Sequence, residues 1–233
     1  GPLYPQYYAA EFIEGTGNIF NIEAINRAVE LGKQYNPEEF DPISDKYMCL
    51  DPGYSSSKFA ILIAEWNRRD RKIVILYANE FDKLNYDEAI DLVFRLIKQY
   101  GRVVNVGIDM SSLELIMSLK KKIGERADWN YITSKLSHCA KHSLNPAQYM
   151  TIVPIPFTVT NKAYMISNCR RLLEDSRSLV AINPVFNNLI IGLKSSVVDN
   201  RGLLDKQETK SHDLVVTFQI MGTFFTFKSS SDY

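Results

Sequence analysis

From residue 47 onward, short apolar runs bounded by turn residues alternate with stretches whose apolar residues recur at helical spacing. The short runs predict strands at 47–50, 59–66, 73–81, 103–109, 151–155 and 179–182. The periodic stretches predict helices at 87–100, from about 111, at 160–175, at 184–193 and from Asp213 onward. This order of elements predicts an α/β fold with a mixed central β-sheet flanked by helices.

The first 45 residues differ from this pattern. They contain a loop with two glycines, a helix for which Asn21 is a good N-cap, and a proline-containing segment at 36–42. We interpret residues 1–45 as an N-terminal appendage or linker and residues 46–228 as the α/β domain. The serine-rich end, residues 229–233, is expected to be a disordered tail.

Overall charge does not indicate a partner, because Lys+Arg and Asp+Glu are both 27. Any binding to nucleic acid must therefore come from locally segregated charge. No apolar run approaches the roughly 20 residues that a membrane-spanning helix needs. No membrane association is expected.

The cysteines are few, odd in number and widely spaced, at positions 49, 139 and 169. This usage argues against a disulfide framework and is typical of a reducing compartment, so the protein is not expected to be secreted. His138, Cys139 and His142 lie close together in sequence. Their spacing fits no standard zinc site, and a fourth ligand is missing.

Three aspartates stand at the ends of predicted elements. Asp51 ends an apolar run, Asp109 closes the strand-like run 103–108, and Asp213 opens the apolar helical run that follows it. Carboxylates gathered at such ends repel one another, and divalent cations relieve that repulsion through hard oxygen ligands. Two such ions can clamp the attacking and leaving oxygens of a phosphodiester. The three acids therefore predict a Mg²⁺ or Mn²⁺ site.

Four motifs occur together over nearly the whole chain. They are Asp51-Pro52-Gly53 with its serine-rich turn, Ile108-Asp109, Lys162 with Arg170-Arg171-Leu172-Leu173-Glu174, and Ser211-His212-Asp213-Leu214-Val215. Their order and context resemble the nuclease domain of the large terminase subunit of tailed phages or proviruses, which has an RNase H-like fold. The segment from Tyr8 to Gly15 resembles the join that follows the motor ATPase in such proteins.

The resemblance implies a two-metal-ion endonuclease that cuts concatemeric double-stranded viral DNA by in-line water attack. It implies that Asp51, Asp109 and Asp213 are catalytic and hold two divalent cations, Mg²⁺ or Mn²⁺, with Asp51 bridging both. Many members have a second acid beside the last aspartate, where this chain has His212. His212 is therefore an accessory candidate that positions the leaving group or contacts DNA.

The resemblance also implies partners and a place of action. The partners are double-stranded viral DNA and, in the full assembly, a portal protein and a small terminase subunit, in the host cytoplasm during virion assembly. The motor ATPase domain of the same polypeptide is expected upstream. The sequence has no Gly-x-x-x-x-Gly-Lys-Ser/Thr phosphate loop, so ATP hydrolysis by these residues is not expected.

Basic residues outside the acid motifs are candidates for contacts with DNA phosphates. They are Lys162 and the group Lys120, Lys121, Lys122, Arg126, Lys135 and Lys141. Clustered lysines and arginines bind the DNA backbone without reading sequence. The other interpretation of each is an ordinary solvated surface.

Two other functions fit parts of the pattern. An actin-like or sugar-kinase-like nucleotide-binding domain also begins with an Asp-x-Gly turn rich in serine, although its second Asp-x-Gly and its Gly-Gly motif are not found here. A non-catalytic module that docks a motor to a portal would use residues 124–150, which are mostly polar and irregular. The second role is compatible with nuclease activity.

Overall fold

The structure is a computed structural model that describes residues 17–53, 58–82, 84–124 and 150–225. Its strands are β1 Lys46–Asp51, β2 Phe59–Asn67, β3 Lys72–Phe81, β4 Val103–Asp109, β5 Thr151–Ile155 and β6 Val180–Ala181. Its helices are α1 Ile22–Gly32, α2 Tyr86–Tyr100, α3 Leu113–Gly124, α4 Val159–Glu174, α5 Asn187–Ser195 and α6 His212–Phe224. None of these helices is long and apolar enough to cross a bilayer.

The strands form one six-stranded sheet in the order β5-β4-β1-β2-β3-β6. β1, β2 and β3 pair as an antiparallel meander, whereas β4 joins β1, β5 joins β4 and β6 joins β3 in parallel. The mixed sheet flanked by helices is as predicted. The strands lie within one residue of their predicted ends, and β4 and β5 match exactly.

A helical layer covers each face of the sheet. Side chains of α1, α4, α5 and α6 form one apolar core with alternate strand residues such as Cys49 and Leu62. Side chains of α2 and α3 form the other with the intervening residues, such as Leu50 and Ile63. Because successive strand residues point to opposite faces, the parity of each strand-end residue decides which helices it meets.

Several helix ends follow from the residues that stand there. Asn21 caps α1 by accepting from the Ala24 amide at 3.0 Å, and Gly101 ends α2 with φ 82°, a conformation that favours glycine. The helix predicted at 184–193 begins later, at Asn187, after a turn around Pro184. The Ser211 hydroxyl donates to Glu80 at 3.0 Å and makes no capping hydrogen bond to α6.

Residues 19–28 of the N-terminal segment belong to the core, which corrects the view of this part as an appendage. Ile19, Phe20 and Ile25 of this segment are fully buried against α6 and the sheet. Phe20 meets Phe218 edge to face at 6.2 Å. The boundary expected at residue 45 therefore does not separate two cores. The origin of residues 1–45 in a motor domain stays a prediction.

Two glycines allow α6 to lie close to its neighbours. A Cβ atom at Gly107 of β4 would come within 2.7 Å of Ile220, and one at Gly222 within 2.6 Å of the Cys169 sulfur on α4. Larger residues at either position would push α6 away from the sheet or from α4. These contacts hold the C-terminal half of α6 close to the sheet and to α4.

Candidate metal centre

Asp51 and Asp109 lie at the ends of neighbouring parallel strands. Leu50 and Ile108 are partners in register, so the two aspartates that follow them stand side by side. Asp51 follows Cys49 by two residues and Asp109 follows Gly107 by two, so both point to the same face of the sheet, the one that α6 covers. Neighbouring strands lie about 4.8 Å apart. The fold therefore places these two carboxyl groups at one edge of the sheet and on one face.

Asp213 reaches the same place from the first turn of α6. It is 4% exposed, and its Oδ2 accepts from the Lys58 backbone N–H at 2.9 Å. His212 Nε2 lies 3.2 Å from the Asp213 Oδ1. Ser211, just before the helix, has φ 46°, a left-handed conformation that is uncommon outside glycine. This sharp turn directs the start of α6 towards Asp51.

Asp51 and Asp213 interact directly. Burial raises the pKa of the Asp51 carboxyl to about 7, and the negative charge of Asp213 and a hydrogen bond to it act in the same direction. The Gly53 amide, which donates to the Asp51 Oδ1 at 3.2 Å, opposes this only in part. In the absence of a cation the pair therefore keeps a proton to a much higher pH than a free aspartate does.

The carboxyl group of Asp213 shifts the other way. Burial acts to raise its pKa, but the hydrogen bonds from His212 and from the Lys58 amide outweigh burial and lower it. The same contact raises the pKa of His212, because the imidazolium form is stabilised by the neighbouring carboxylate. Asp213 is thus held as an anion with its orientation fixed from two sides.

The donor chemistry of this edge fits a divalent cation. Two carboxyl groups in contact, one half-buried at Asp51 and one buried at Asp213, are electrostatically unfavourable as anions, and their oxygens are the ligands that Mg²⁺ and Mn²⁺ prefer. Within the described ranges, no three His, Cys, Asp or Glu side chains surround a common ion position. The structure thus brings Asp51 and Asp213 together and places Asp109 one strand away. Ligation by all three stays a prediction.

Among the predicted phosphate contacts, Lys162 lies at this edge. It stands in the second turn of α4, and Asp109 influences its ionisation together with Lys206 and Arg201. Sequence analysis missed Lys206, whose charge acts on both Asp51 and His212. No local signal distinguished it, since exposed loop lysines are common.

The lysines of α3 are not brought to the acids. α3 connects the parallel strands β4 and β5, so it runs back along the opposite face of the sheet and ends far from Asp109. Lys122 pairs with Asp91 of α2 at 3.2 Å. Lys120 and Lys121 are exposed on the same turn. The other members of the group, Arg126, Lys135 and Lys141, lie outside the described residues.

We expect Mn²⁺ or Mg²⁺ to raise the melting temperature more at pH 8 than at pH 5. The Asp51 carboxyl is protonated at pH 5 because its folded pKa is about 7, so a cation must displace a proton there. The raised pKa also means that stability from this group is present below about pH 4 and is lost as pH rises to about 7. A bound cation restores this stability, and we expect it to raise the melting temperature by about 2–8 °C at pH 8.

Differential scanning calorimetry at the two pH values, with and without 10 mM cation, measures this effect. Asp51→Asn serves as the comparison at each pH, since it removes the group whose proton a cation must displace. An equal cation shift at both pH values, or an undiminished shift in Asp51→Asn, would contradict the assignment.

The sequence matches no protein-family model and no curated protein. Solved structures do match. The large terminase nuclease from thermophilic phage G20c is 13% identical, with a TM-score of 0.61, over 91% of this chain and 100% of that one. The same nuclease with bound magnesium is 12% identical, with a TM-score of 0.60, over the same shares of the two chains.

The HK97 bacteriophage large terminase also matches, at 11% identity and a TM-score of 0.60, over 89% of this chain. The match covers 43% of that longer protein. At these identities the likeness concerns the fold. The predicted resemblance is therefore confirmed at that level: the chain has the RNase H-like fold found in the nuclease domains of large terminase subunits.

Proposed function

We propose that this chain is the metal-dependent endonuclease domain of a viral DNA-packaging terminase. The observation that carries the proposal is the contact of the half-buried Asp51 with the buried Asp213, with Asp109 beside them on the same face. A structural site would avoid paired buried carboxyl groups, because their mutual repulsion lowers stability. This chain is similar in fold to a terminase nuclease with bound magnesium. Binding of a divalent cation would explain why Asp51 and Asp213 are kept in contact.

Asp51, Asp109 and Asp213 would hold the cations, with Asp51 between the other two. Bound divalent ions activate a water molecule for in-line attack on a phosphodiester and stabilise the leaving oxygen. The chain itself orients the acids: the Lys58 amide and His212 fix Asp213, and the Gly53 amide fixes Asp51. The His212 Nε2–H donates a hydrogen bond to the Asp213 carboxylate. The imidazolium form of His212 adds positive charge where a phosphate would approach.

The substrate we propose is concatemeric double-stranded DNA, bound through phosphates without base specificity. Lys162 is the contact best placed for this role, since it lies beside Asp109. By the terminase assignment, the partners are an upstream motor ATPase domain, a portal protein and a small terminase subunit, and the place of action is the host cytoplasm. The longer HK97 chain is in keeping with a second domain.

The two other candidate functions have less support. Two of the matching structures named above are of a terminase nuclease, which favours cleavage over an actin-like or sugar-kinase-like ATP site. The proposed portal-docking segment, residues 124–150, lies almost entirely outside the described residues. Neither function accounts for the paired acids.

Incubation with supercoiled plasmid tests the nuclease. We expect nicked and then linear DNA with 5 mM Mn²⁺ or Mg²⁺ and no cutting with a chelator. Asp109→Asn is expected to abolish cutting, since it removes a predicted ligand. Asp91→Asn is the matched control, because Asp91 is exposed on α2, on the other face of the sheet. Cutting that persists in Asp109→Asn or with chelator present would overturn the proposal.

A further inference from the structure

A cavity of about 350 Å³ lies between α4, α6 and residues 199–207, next to the acids. Lys162 and Ile166 line it from α4, and Val216 and Gln219 from α6. Val216 lies about one turn beyond Asp213 and Gln219 about one turn beyond Val216, with a shift of about 60° around the helix at each step. The cavity therefore extends from the acid edge along α6.

Gln219 is an unusual residue to find in the wall of this cavity. It is 4% exposed, and among the described residues its Nε2 has no hydrogen-bond partner. A buried amide donor without a partner lowers stability by about 1–3 kcal/mol. A ligand that offers an acceptor inside the cavity would remove this penalty. Because Gln219 lines the cavity, a small rotation of its side chain would offer the unpaired amide to a polar ligand there.

The rim of the cavity carries three cationic side chains, those of Lys162, Arg201 and Lys206. Burial lowers the pKa of Lys162, and the positive charges of Lys206 and Arg201 lower it further. The three side chains are therefore close enough to repel one another. In the part of the chain that the structure describes, neither lysine has a carboxylate within ion-pair distance. Three cations that repel one another form a site for an anion such as phosphate.

The acids at the rim are already engaged. Asp199 accepts from the Arg201 guanidinium at 2.9 Å and from the backbone amides of Arg201 and Leu203. Asp205 accepts from the backbone amides of Gln207 and Glu208. These bonds close the turns that present Arg201 and Lys206. The carboxylates therefore shape the rim and compete little with an entering anion for the lysines.

The interior of the cavity is mainly apolar, with Phe157, Ile166, Leu204 and Val216 among its walls. A volume of 350 Å³ lies at the lower end for small-molecule sites, so it suits one nucleotide and excludes a duplex. An apolar wall, one amide donor and a cationic rim match the base face, a base acceptor and the phosphate of a nucleotide.

We propose that this cavity binds one unpaired nucleotide of a DNA strand close to the cleavage point. Its phosphate lies among Lys162, Arg201 and Lys206, and the Gln219 Nε2–H donates to an acceptor on the base. The helical rise puts Gln219 about 9 Å along α6 from Asp213. At about 3.4 Å per nucleotide, that is two to three nucleotides from the acids. The identification of this strand as a cleavage substrate rests on the proposed function.

Calorimetric titration of the whole chain in EDTA tests the cavity without cleavage. The probes are thymidine 5′-monophosphate, thymidine and inorganic phosphate. We expect the monophosphate to bind at least about tenfold more tightly than either part alone, since it engages both rim and interior. A single-stranded oligonucleotide is expected to displace it, whereas a blunt duplex is not.

Three variants assign the contacts. Gln219→Leu is expected to weaken monophosphate binding about three- to tenfold and to leave phosphate binding unchanged, since one hydrogen bond is lost. Arg201→Ala and Lys206→Ala are expected to weaken both. Lys98→Ala, which removes an exposed charge from α2, is the control and should match the original chain. Gln219→Leu should be no less stable, and Gln219→Met replaces it if it does not fold.

The proposal is overturned if phosphate binds as tightly as the monophosphate, if none of the three variants weakens binding, or if the oligonucleotide fails to compete. Tighter binding of ATP with Mg²⁺ would also overturn it and would favour a kinase-like site. Because the titration needs neither metal nor cleavage, a cavity that binds in an inactive chain would refute the nuclease alone.

Discussion

Asp51→Asn is expected to lose nuclease activity and gain stability in the same molecule. Asparagine keeps the shape and one oxygen of the side chain but cannot balance the charge of a divalent ion. Removing a ligand that lies between two metal sites is expected to lower the cleavage rate by about three orders of magnitude or more. A plasmid-nicking time course with Mn²⁺ measures this loss.

The gain in stability follows from the metal-free charge pair. A rise in the pKa of Asp51 from 3.8 to about 7 corresponds to about 4 kcal/mol of unfavourable free energy at high pH. The lowered pKa of Asp213 depends in part on its hydrogen bond with Asp51, so part of this figure is offset. We expect the free energy of unfolding at pH 8, without metal, to rise by about 1–3 kcal/mol.

Asp82→Asn is the matched control for both measurements. Its side chain is 93% exposed and lies 3.9 Å from Lys58, so it removes the same charge nearby without entering the acid pair. Both activity and stability should stay near those of the original chain. If Asp51→Asn loses activity and stability together, the activity loss reflects unfolding, and the inference of a destabilising acid pair is wrong.

The acid site shows which features could be predicted from the sequence. Asp51 and Asp109 could be predicted as strand-end acids, because apolar runs with turn residues after them define strands locally. Their common face followed only from the register of β1 with β4, which depends on contacts between residues far apart in sequence. Asp213 could be linked to them by family resemblance but not by any local pattern.

The cavity residues show where sequence reasoning stops. Gln219 sits within an almost wholly apolar helix, and nothing in the pattern of α6 distinguishes an unpaired buried amide from a solvated one. Arg201 and Lys206 look like ordinary loop charges until the turns of residues 199–207 place them over α4. Lys122 gave the opposite result, since a lysine in a basic run proved to pair with Asp91.

The N-terminal segment was misjudged for a similar reason. Its helix was recognised by Asn21 and its apolar stripe, but a stripe shows only that some surface is covered. The surface it covers includes the end of β6 and the chain beyond it. The Ile182 amide donates to the Ala28 carbonyl at 2.9 Å, and the Asn183 side-chain amide donates to the carbonyls of Gly32 and Tyr35.

Gly32→Ala is expected to destabilise the whole domain because of this contact. A Cβ atom at Gly32 would lie 2.1 Å from the Ile182 carbonyl carbon and 2.5 Å from the Asn183 backbone nitrogen. Both are backbone atoms, so no side-chain rotation relieves the overlap, and α1 must move away from β6. The movement breaks the hydrogen bonds of Ile182 and Asn183 and opens the core around Ile25.

We expect Gly32→Ala to lower the free energy of unfolding by about 3–5 kcal/mol, although alanine favours helix more than glycine does. Urea denaturation followed by circular dichroism measures the loss. Lys33→Ala is the matched control, because the Lys33 side chain is exposed and pairs with Glu30 on the surface. A change in the free energy of unfolding within about 0.5 kcal/mol is expected for this variant. A neutral Gly32→Ala would show that α1 is a dispensable appendage after all, and the single-core description would then fail.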